Sequence, residues 1–249
     1  MTHKTALVLS AGGYFGAYQA GVWDSLYTRF QPDMVIGASV GALNGWPIAS
    51  GCTPAQLAQE WLDPETARLL RFHAKPGLRN RWFEPEPLLA KARHIHASYS
   101  PKLPFALVVV ELPWLRRRLI RAAGVDPHHL LATCSIPLLF PSVTIDGRRF
   151  TDGGMIENMP LWAAAEMGAT RIIAIDALPS VTPWWVQAGS RVLRRALPQK
   201  KLPPQTEVLI IRPSEYLGTA QDAIVWKREN IERWIALGKR DADRQFRLQ

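Results

Sequence analysis

The chain of 249 residues has only two cysteines, Cys52 and Cys134. Two do not make a disulfide framework, so stability has to come from packing, and a reducing compartment suits the chain. No apolar run reaches the ~18 residues that a membrane-crossing helix needs. The first residues, MTHKTALVLSAGGYFG, carry one Lys and a short apolar run that ends in glycines. That is not the shape of a secretory signal. The expected location is cytoplasmic, with peripheral membrane contact left open. Histidine is scarce: His3, His73, His94, His96, His128 and His129 are all there are. A hydrolase with the chain order Ser, Asp/Glu, His needs a histidine after the acid, which here would force the acid to precede His129. Acidic residues are the minority charge, 21 Asp+Glu against 30 Lys+Arg, for a formal net charge of +9. That excess favours anionic surfaces, lipid or nucleic acid.

What is present reads as one globular domain. Hydrophobic residues make up 47%, enough for one large core, and no break in composition divides residues 1–249. TALVLS (from Thr5), DMVIGA (from Asp33) and FALVVVEL (from Phe105) read as buried strands, short apolar runs closed by turn residues. Helices are expected over residues 16–27 and after Ser39, where Pro47 kinks or ends the second. Thr53 and Pro54 suit the N-cap and first position of another helix. Asp146-Gly147 reads as a hairpin turn between two strands. Beyond it come a helix closed by Gly168, two further strands, and a long charged helix from Thr219. Strands alternating with helices predict an α/β fold with a parallel sheet.

Three short motifs carry chemistry. VIGASVGALNG holds the spacing G-x-S-x-G, Gly37-Ala38-Ser39-Val40-Gly41. In that pattern a strand turns sharply into a helix and presents a serine hydroxyl. The pattern is cheap, since roughly one chain of this length in twelve shows it by accident. A serine nucleophile needs a base and donors for the oxyanion. RFTDGGMIENMPL supplies a carboxylate, Asp152, at a strand end followed by Gly153-Gly154. LSAGGYFGAYQAG places Gly12, Gly13 and Gly16 between a strand and a helix, where backbone N–H groups and the helix dipole converge. No G-K-[ST] follows, so it is not a P-loop, and Ala11 spoils a dinucleotide fingerprint.

In this order the three motifs, with the flank CSIPLLFPSVTIDGRRFTDGGMIENMPL, resemble the patatin-like phospholipase family over roughly residues 5–177. The resemblance implies a three-layer α/β/α fold with a central, mostly parallel sheet. It implies a serine acyl hydrolase of lipid carboxylic esters, with phospholipase A or lysophospholipase action and no cofactor. Ser39 would be the nucleophile and Asp152 its base, with Gly12, Gly13 and the Tyr14 amide at the oxyanion. Gly16, Gly37, Gly41, Gly153 and Gly154 would shape the motifs. Two positions depart from the family: Phe15 stands where it usually carries Arg or Lys, and Ala11 where it carries Gly. Headgroup recognition at that loop is correspondingly less expected.

Other features have blander readings beside them. WWVQAGSRVLRRAL sets Trp184 and Trp185 beside Arg191, Arg194 and Arg195, with Lys200 and Lys201 close by. It suits either an anionic membrane surface or a packed helix with a solvated basic face. Arg116, Arg117, Arg118 and Arg121 suggest an edge strand with a charged face. His94 and His96 lack an acidic or Cys partner in pattern, so no metal is expected. Asp176 ends a strand where ligands often bind and is a supporting candidate. The stretch Arg71–Leu103 is the candidate cover for the site. The rivals to a lipid hydrolase are an esterase of short or soluble acyl esters and an idle basic module that binds membrane or nucleic acid. With Ser39 and Asp152 both intact, no nucleic acid is expected as partner. The sequence says nothing of oligomeric state.

Overall fold

The computed structural model describes residues 4–73, 82–154, 156–178 and 200–247. The apolar runs form β1 (Thr5–Leu9), β2 (Met34–Ala38), β3 (Phe105–Leu112), β4 (Arg116–Arg121), β5 (Val143–Ile145), β6 (Arg148–Asp152), β7 (Arg171–Ile175) and β8 (Glu207–Ile211). These make one sheet in the order β5-β6-β3-β2-β1-β7-β8, with β4 paired to β3 off this path. β3, β2, β1, β7 and β8 run parallel. β4, β5 and β6 are antiparallel additions around β3 and to one another. The parallel strands are apolar at successive positions because both faces of the sheet are covered.

The helices are α1 (Gly16–Leu26), α2 (Val40–Ala49), α3 (Pro54–Leu62), α4 (Pro85–Ser98), α5 (Pro127–Cys134), α6 (Leu161–Glu166) and α7 (Arg228–Arg247). Side chains alternate along each strand. Leu7 and Leu9 therefore join the larger core with residues of α1 to α5 and α7, while Ala6 and Val8 join the smaller one with Trp162, Ala163 and Ala164 of α6. The result is a mostly parallel sheet between two helical layers. Local chemistry sets the helix starts. Thr53 and Gln56 form a capping box ahead of α3, and Asp126 accepts the His128 and His129 amides ahead of α5, each with Pro at the first helical position. β4 pairs with β3 alone; Arg116 and Arg121 at its ends are exposed, and Arg118 is bonded to Glu111.

One boundary differs from the sequence reading. The charged helix begins at Arg228, not Thr219. Asp222 folds back to accept the Thr219 amide and hydroxyl, both at 2.8 Å, and the Ala223 carbonyl takes the Tyr14 amide at 2.9 Å. Local side-chain bonds and one tertiary bond hold this segment as a turn.

α7 lies against α1. Trp234 is fully buried and donates its indole N–H to the Leu217 carbonyl at 2.8 Å. The Phe15 ring meets it edge-on, with centroids 4.9 Å apart. This accounts for Phe15. The side chain is buried under α7, where an Arg or Lys would bring an unpaired charge into the core. Among the described residues no helix is long and apolar enough to cross a membrane. The basic stretch with Trp184, Trp185, Arg191, Arg194 and Arg195 lies outside the described residues. Lys200 at its end pairs with Glu166 at 2.7 Å and sits over the Trp162 ring. Truncating Trp234→Ala should destabilise the fold by about 3–5 kcal/mol, read by urea denaturation. A loss below about 1 kcal/mol would mean that α7 is not part of the cooperative core.

Candidate active site

The sheet register brings two of the motifs together. β4 occupies one edge of β3, opposite residues 106–111. β2 and β6 therefore share the other edge, β2 ending at Ala38 opposite Val108 and β6 ending at Asp152 opposite Val109. One strand is parallel to β3 and the other antiparallel, so their C-terminal ends meet head-on. Ser39 follows directly from β2, and Asp152 closes β6.

Ser39 has φ 53° and ψ −130°, outside the regions that a side chain adopts without strain, at a cost of roughly 1–3 kcal/mol. Packing enforces it. A Cβ on Gly41 would lie 2.4 Å from the Leu9 carbonyl oxygen, and one on Gly37 would lie 2.4 Å from that of Gly41. Only glycine lets α2 start this close to the end of β1. Thr133 of α5 then pins the bend: its hydroxyl accepts the Ser39 amide at 3.0 Å and donates to the Val108 carbonyl at 2.8 Å. The same helix end holds the acid. The Ser135 carbonyl accepts the Asp152 amide at 3.0 Å and the Thr151 hydroxyl at 2.6 Å.

The Asp152 carboxylate is buried. Its Oδ1 accepts the Gly154 amide at 2.6 Å. Burial pushes its pKa from 3.8 up to about 7, while the Ser39 hydroxyl and the Gly154 amide pull the other way. Gly153 packs on the Val108 carbonyl, and Gly154 faces the Ala11 methyl. A Cβ at 154 would come within 2.5 Å of that methyl. The alanine at 11 is therefore accommodated by the glycine opposite it.

The glycine-rich loop leaves β1 beside this pair. Gly13 has φ +57°, and a Cβ there would fall 2.3 Å from the Ala223 carbonyl oxygen. The Tyr14 amide, expected as an oxyanion donor, is already bonded to that same carbonyl. Among the described residues the Gly12 and Gly13 amides have no acceptor. Gly16 opens α1 against Val40 and Trp61. Asp176, the supporting candidate, takes Asn158 Nδ2 at 3.0 Å and Arg212 Nε at 3.3 Å. The Asn158 carbonyl in turn accepts the Ala11 amide at 3.0 Å. Asp176 thus steadies the loop from outside.

An apolar pocket opens from Ser39 along α2. The space between its walls, open mouth included, is ≈ 770 Å³. Val40, Leu43 and Pro47 form one wall, Leu57 and Trp61 of α3 another, Leu88 and Ile95 of α4 a third, and Phe140 and Ile224 also line it. The stretch expected as a cover contributes α4 as a packed wall; residues 74–81 lie outside the described residues. Sequence reasoning missed the buried amides that hold these parts in place. Asn44 donates to the Gly16 carbonyl and to Gln19 Oε1, both at 2.9 Å, and accepts the Trp61 indole at 2.9 Å. Gln19 donates to the Ser10 carbonyl at 2.8 Å. Both amides sit in the motif stretches but off the patterned positions, where no spacing rule marks them. His94 bonds Glu60 at 3.2 Å. Among the described residues no group of three His, Cys, Asp or Glu could hold a metal.

The raised Asp152 pKa has a sign for stability. The native state holds a proton that the unfolded chain has lost between pH 3.8 and about 7, so this stabilisation is complete below pH ~4 and is lost as pH rises through ~7. A neutral amide at this position suffers no such loss. Relative to native protein, Asp152→Asn should gain up to about 4 kcal/mol between pH 4 and pH 9. Urea denaturation at both pH values checks it, and an unchanged difference would show that the carboxyl titrates normally.

With this geometry in hand, the comparisons with known proteins are specific. The family model described as patatin-like phospholipase matches residues 7–165. Patatin-like phospholipase domain-containing protein 6 of Homo sapiens is 30% identical over 188 residues, covering 69% of this chain and 13% of that protein. Lysophospholipase NTE1 of Mycosarcoma maydis is 24% identical over 204 residues, covering 72% of this chain and 10% of its own length. The chain thus spans a small part of these relatives. The crystal structure of VipD from Legionella pneumophila shares the fold, with a TM-score of 0.55 at 12% identity, over 97% of this chain and 66% of that one. The chain belongs to the patatin-like phospholipase family.

Proposed function

We propose that the whole chain is one serine acyl hydrolase domain that cleaves lipid carboxylic esters through Ser39 and Asp152. The observation that carries this reading is a strained serine set head-on against a buried carboxylate, on the lining of an apolar pocket. Apolar walls suit an acyl chain, and the name of the Mycosarcoma maydis relative, a lysophospholipase, supports a lipid ester as substrate. The short-ester alternative is the less favoured, since apolar wall continues along α2 beyond Ser39.

The chemistry follows from the geometry. Ser39 Oγ attacks the ester carbonyl carbon, and its proton passes to the Asp152 carboxylate. The carbonyl oxygen becomes an oxyanion, held by the Gly12 and Gly13 N–H groups. Collapse expels the alcohol, which takes the proton from Asp152 and leaves an acyl group on Ser39. Water then attacks the acyl carbonyl, Asp152 again accepts the proton, and the second collapse releases the fatty acid and restores Ser39. A carboxylate at its ordinary pKa is a weak base; one near 7 is matched to neutral pH.

A fluorophosphonate probe and a p-nitrophenyl ester series test the assignment. Ser39→Ala should abolish labelling. Asp152→Asn should lower turnover by orders of magnitude, and the double variant should be little worse than either single one. Labelling that survives Ser39→Ala would overturn the nucleophile. Because the base must be ionised, kcat/KM should rise with pH and level off above about 7, to within about one pH unit. A profile flat between pH 5 and 9 would exclude Asp152 as the base.

A further inference from the structure

The pocket contains one feature that an acyl-binding site does not need. Among the described residues that line it, Glu60 and Lys91 are the only charged ones. They are bonded to each other with side chains just 16% and 13% exposed. Glu60 Oε1 also accepts the Tyr99 hydroxyl and meets His94 Nε2, each at 3.2 Å. Burial pushes the Glu60 carboxyl up, but Lys91 and His94 outweigh it and hold the group below its ordinary range. The Glu60 carboxylate is therefore ionised at neutral pH.

Its position along the pocket can be read from its neighbours. Trp61, next to Glu60, donates to Asn44 Oδ1. Tyr99, which donates to Glu60, accepts the Trp46 indole at its carbonyl, at 2.9 Å. Through Trp61 and Tyr99 the pair is tied to Asn44 and Trp46 of α2, the helix that starts directly after Ser39. At a rise of ~1.5 Å per residue, Asn44 and Trp46 lie roughly 8–11 Å along the helix from the serine. An extended hydrocarbon with C–C bonds of ~1.5 Å advances about 1.25 Å per carbon. Some six to nine carbons fill that distance.

We propose that the Glu60–Lys91 ion pair is a polar stop that sets the length of acyl chain the pocket accepts. The inference rests on the hydrolase reading given above. A methylene laid on apolar wall gains affinity, whereas one driven against the pair gains nothing and strips the water still left on two charges. Chains beyond about nine carbons have to leave their ends outside this pocket.

The test separates the stop from the hydrolysis. Straight-chain fatty acids of about four to sixteen carbons are titrated calorimetrically into Ser39→Ala protein. Affinity should rise about fourfold per methylene and level off near nine carbons. Adding Glu60→Ala and Lys91→Ala together, which leaves no unpaired charge, should move that plateau to longer chains. Should the alanine pair not fold, Glu60→Gln with Lys91→Met keeps the volume, discards both charges and is expected to act in the same direction. A plateau at the same length after replacement, or affinity that climbs past the stop in the native pair, overturns the proposal. The matching p-nitrophenyl esters are run with Ser39 intact. A moving plateau with no ester hydrolysed keeps the stop and sinks the hydrolase reading; hydrolysis with an unmoved plateau does the reverse.

Discussion

β3 has two edges, and β4 takes one of them for six residues. β2 and β6 are left to divide the other, and their opposite directions aim both ends at one point. Everything else at the site elaborates this meeting. The contact depends on register, since a slip of one residue in β6 would turn Asp152 to the other face of the sheet. α5 guards that register from above, with Thr133 bonded to the elbow and to β3, and Ser135 bonded to the end of β6. One helix terminus thus fixes the serine, the acid and the strand between them.

The arrangement is costly, and the cost is what makes it useful. A strained φ at Ser39 and a buried carboxylate at Asp152 both subtract from stability. Solvating the carboxylate would relieve the second, and would also return its pKa to a value too low for a base at neutral pH. The fold tolerates both because a large apolar core surrounds them. The same burial that raises the Asp152 pKa closes the wall behind the pocket. Cys134 sits in that wall, its thiol pushed well up by burial, and it is a packing residue there.

The parts of the site that depend on backbone shape were legible in the sequence. Glycines at 37, 41, 153 and 154 mark places where backbone passes within contact distance of backbone or of a methyl, and such places leave a fixed spacing in the chain. Strand runs, the Thr53 cap and the hairpin at Asp146 are local in the same sense. The parts that depend on pairing across the chain were not legible. Glu60 and Lys91 are thirty-one residues apart and look like any solvated charges. Asn44 and Thr133 look like ordinary helix residues. The turn at residues 219–226 defeated the reading for a related reason: its bond from Ala223 reaches Tyr14, at the other end of the chain.

Phe15 and Ala11 show how far a departure from the family pattern has to be followed before it means anything. Each looks like damage to the oxyanion loop when read alone. Ala11 is matched by the empty side of Gly154, which leaves room for its methyl. Phe15 is drawn down under α7 against Trp234. It thereby ties the loop to the C-terminal helix, and no cation stands at that position of the loop. The Tyr14 amide is spent on Ala223 in the same region. What remains is two backbone N–H groups suited to an oxyanion, a group that develops on every ester alike. On the proposed hydrolase reading, selectivity has to come from the pocket along α2, where Glu60 and Lys91 are the only charged residues among the described lining.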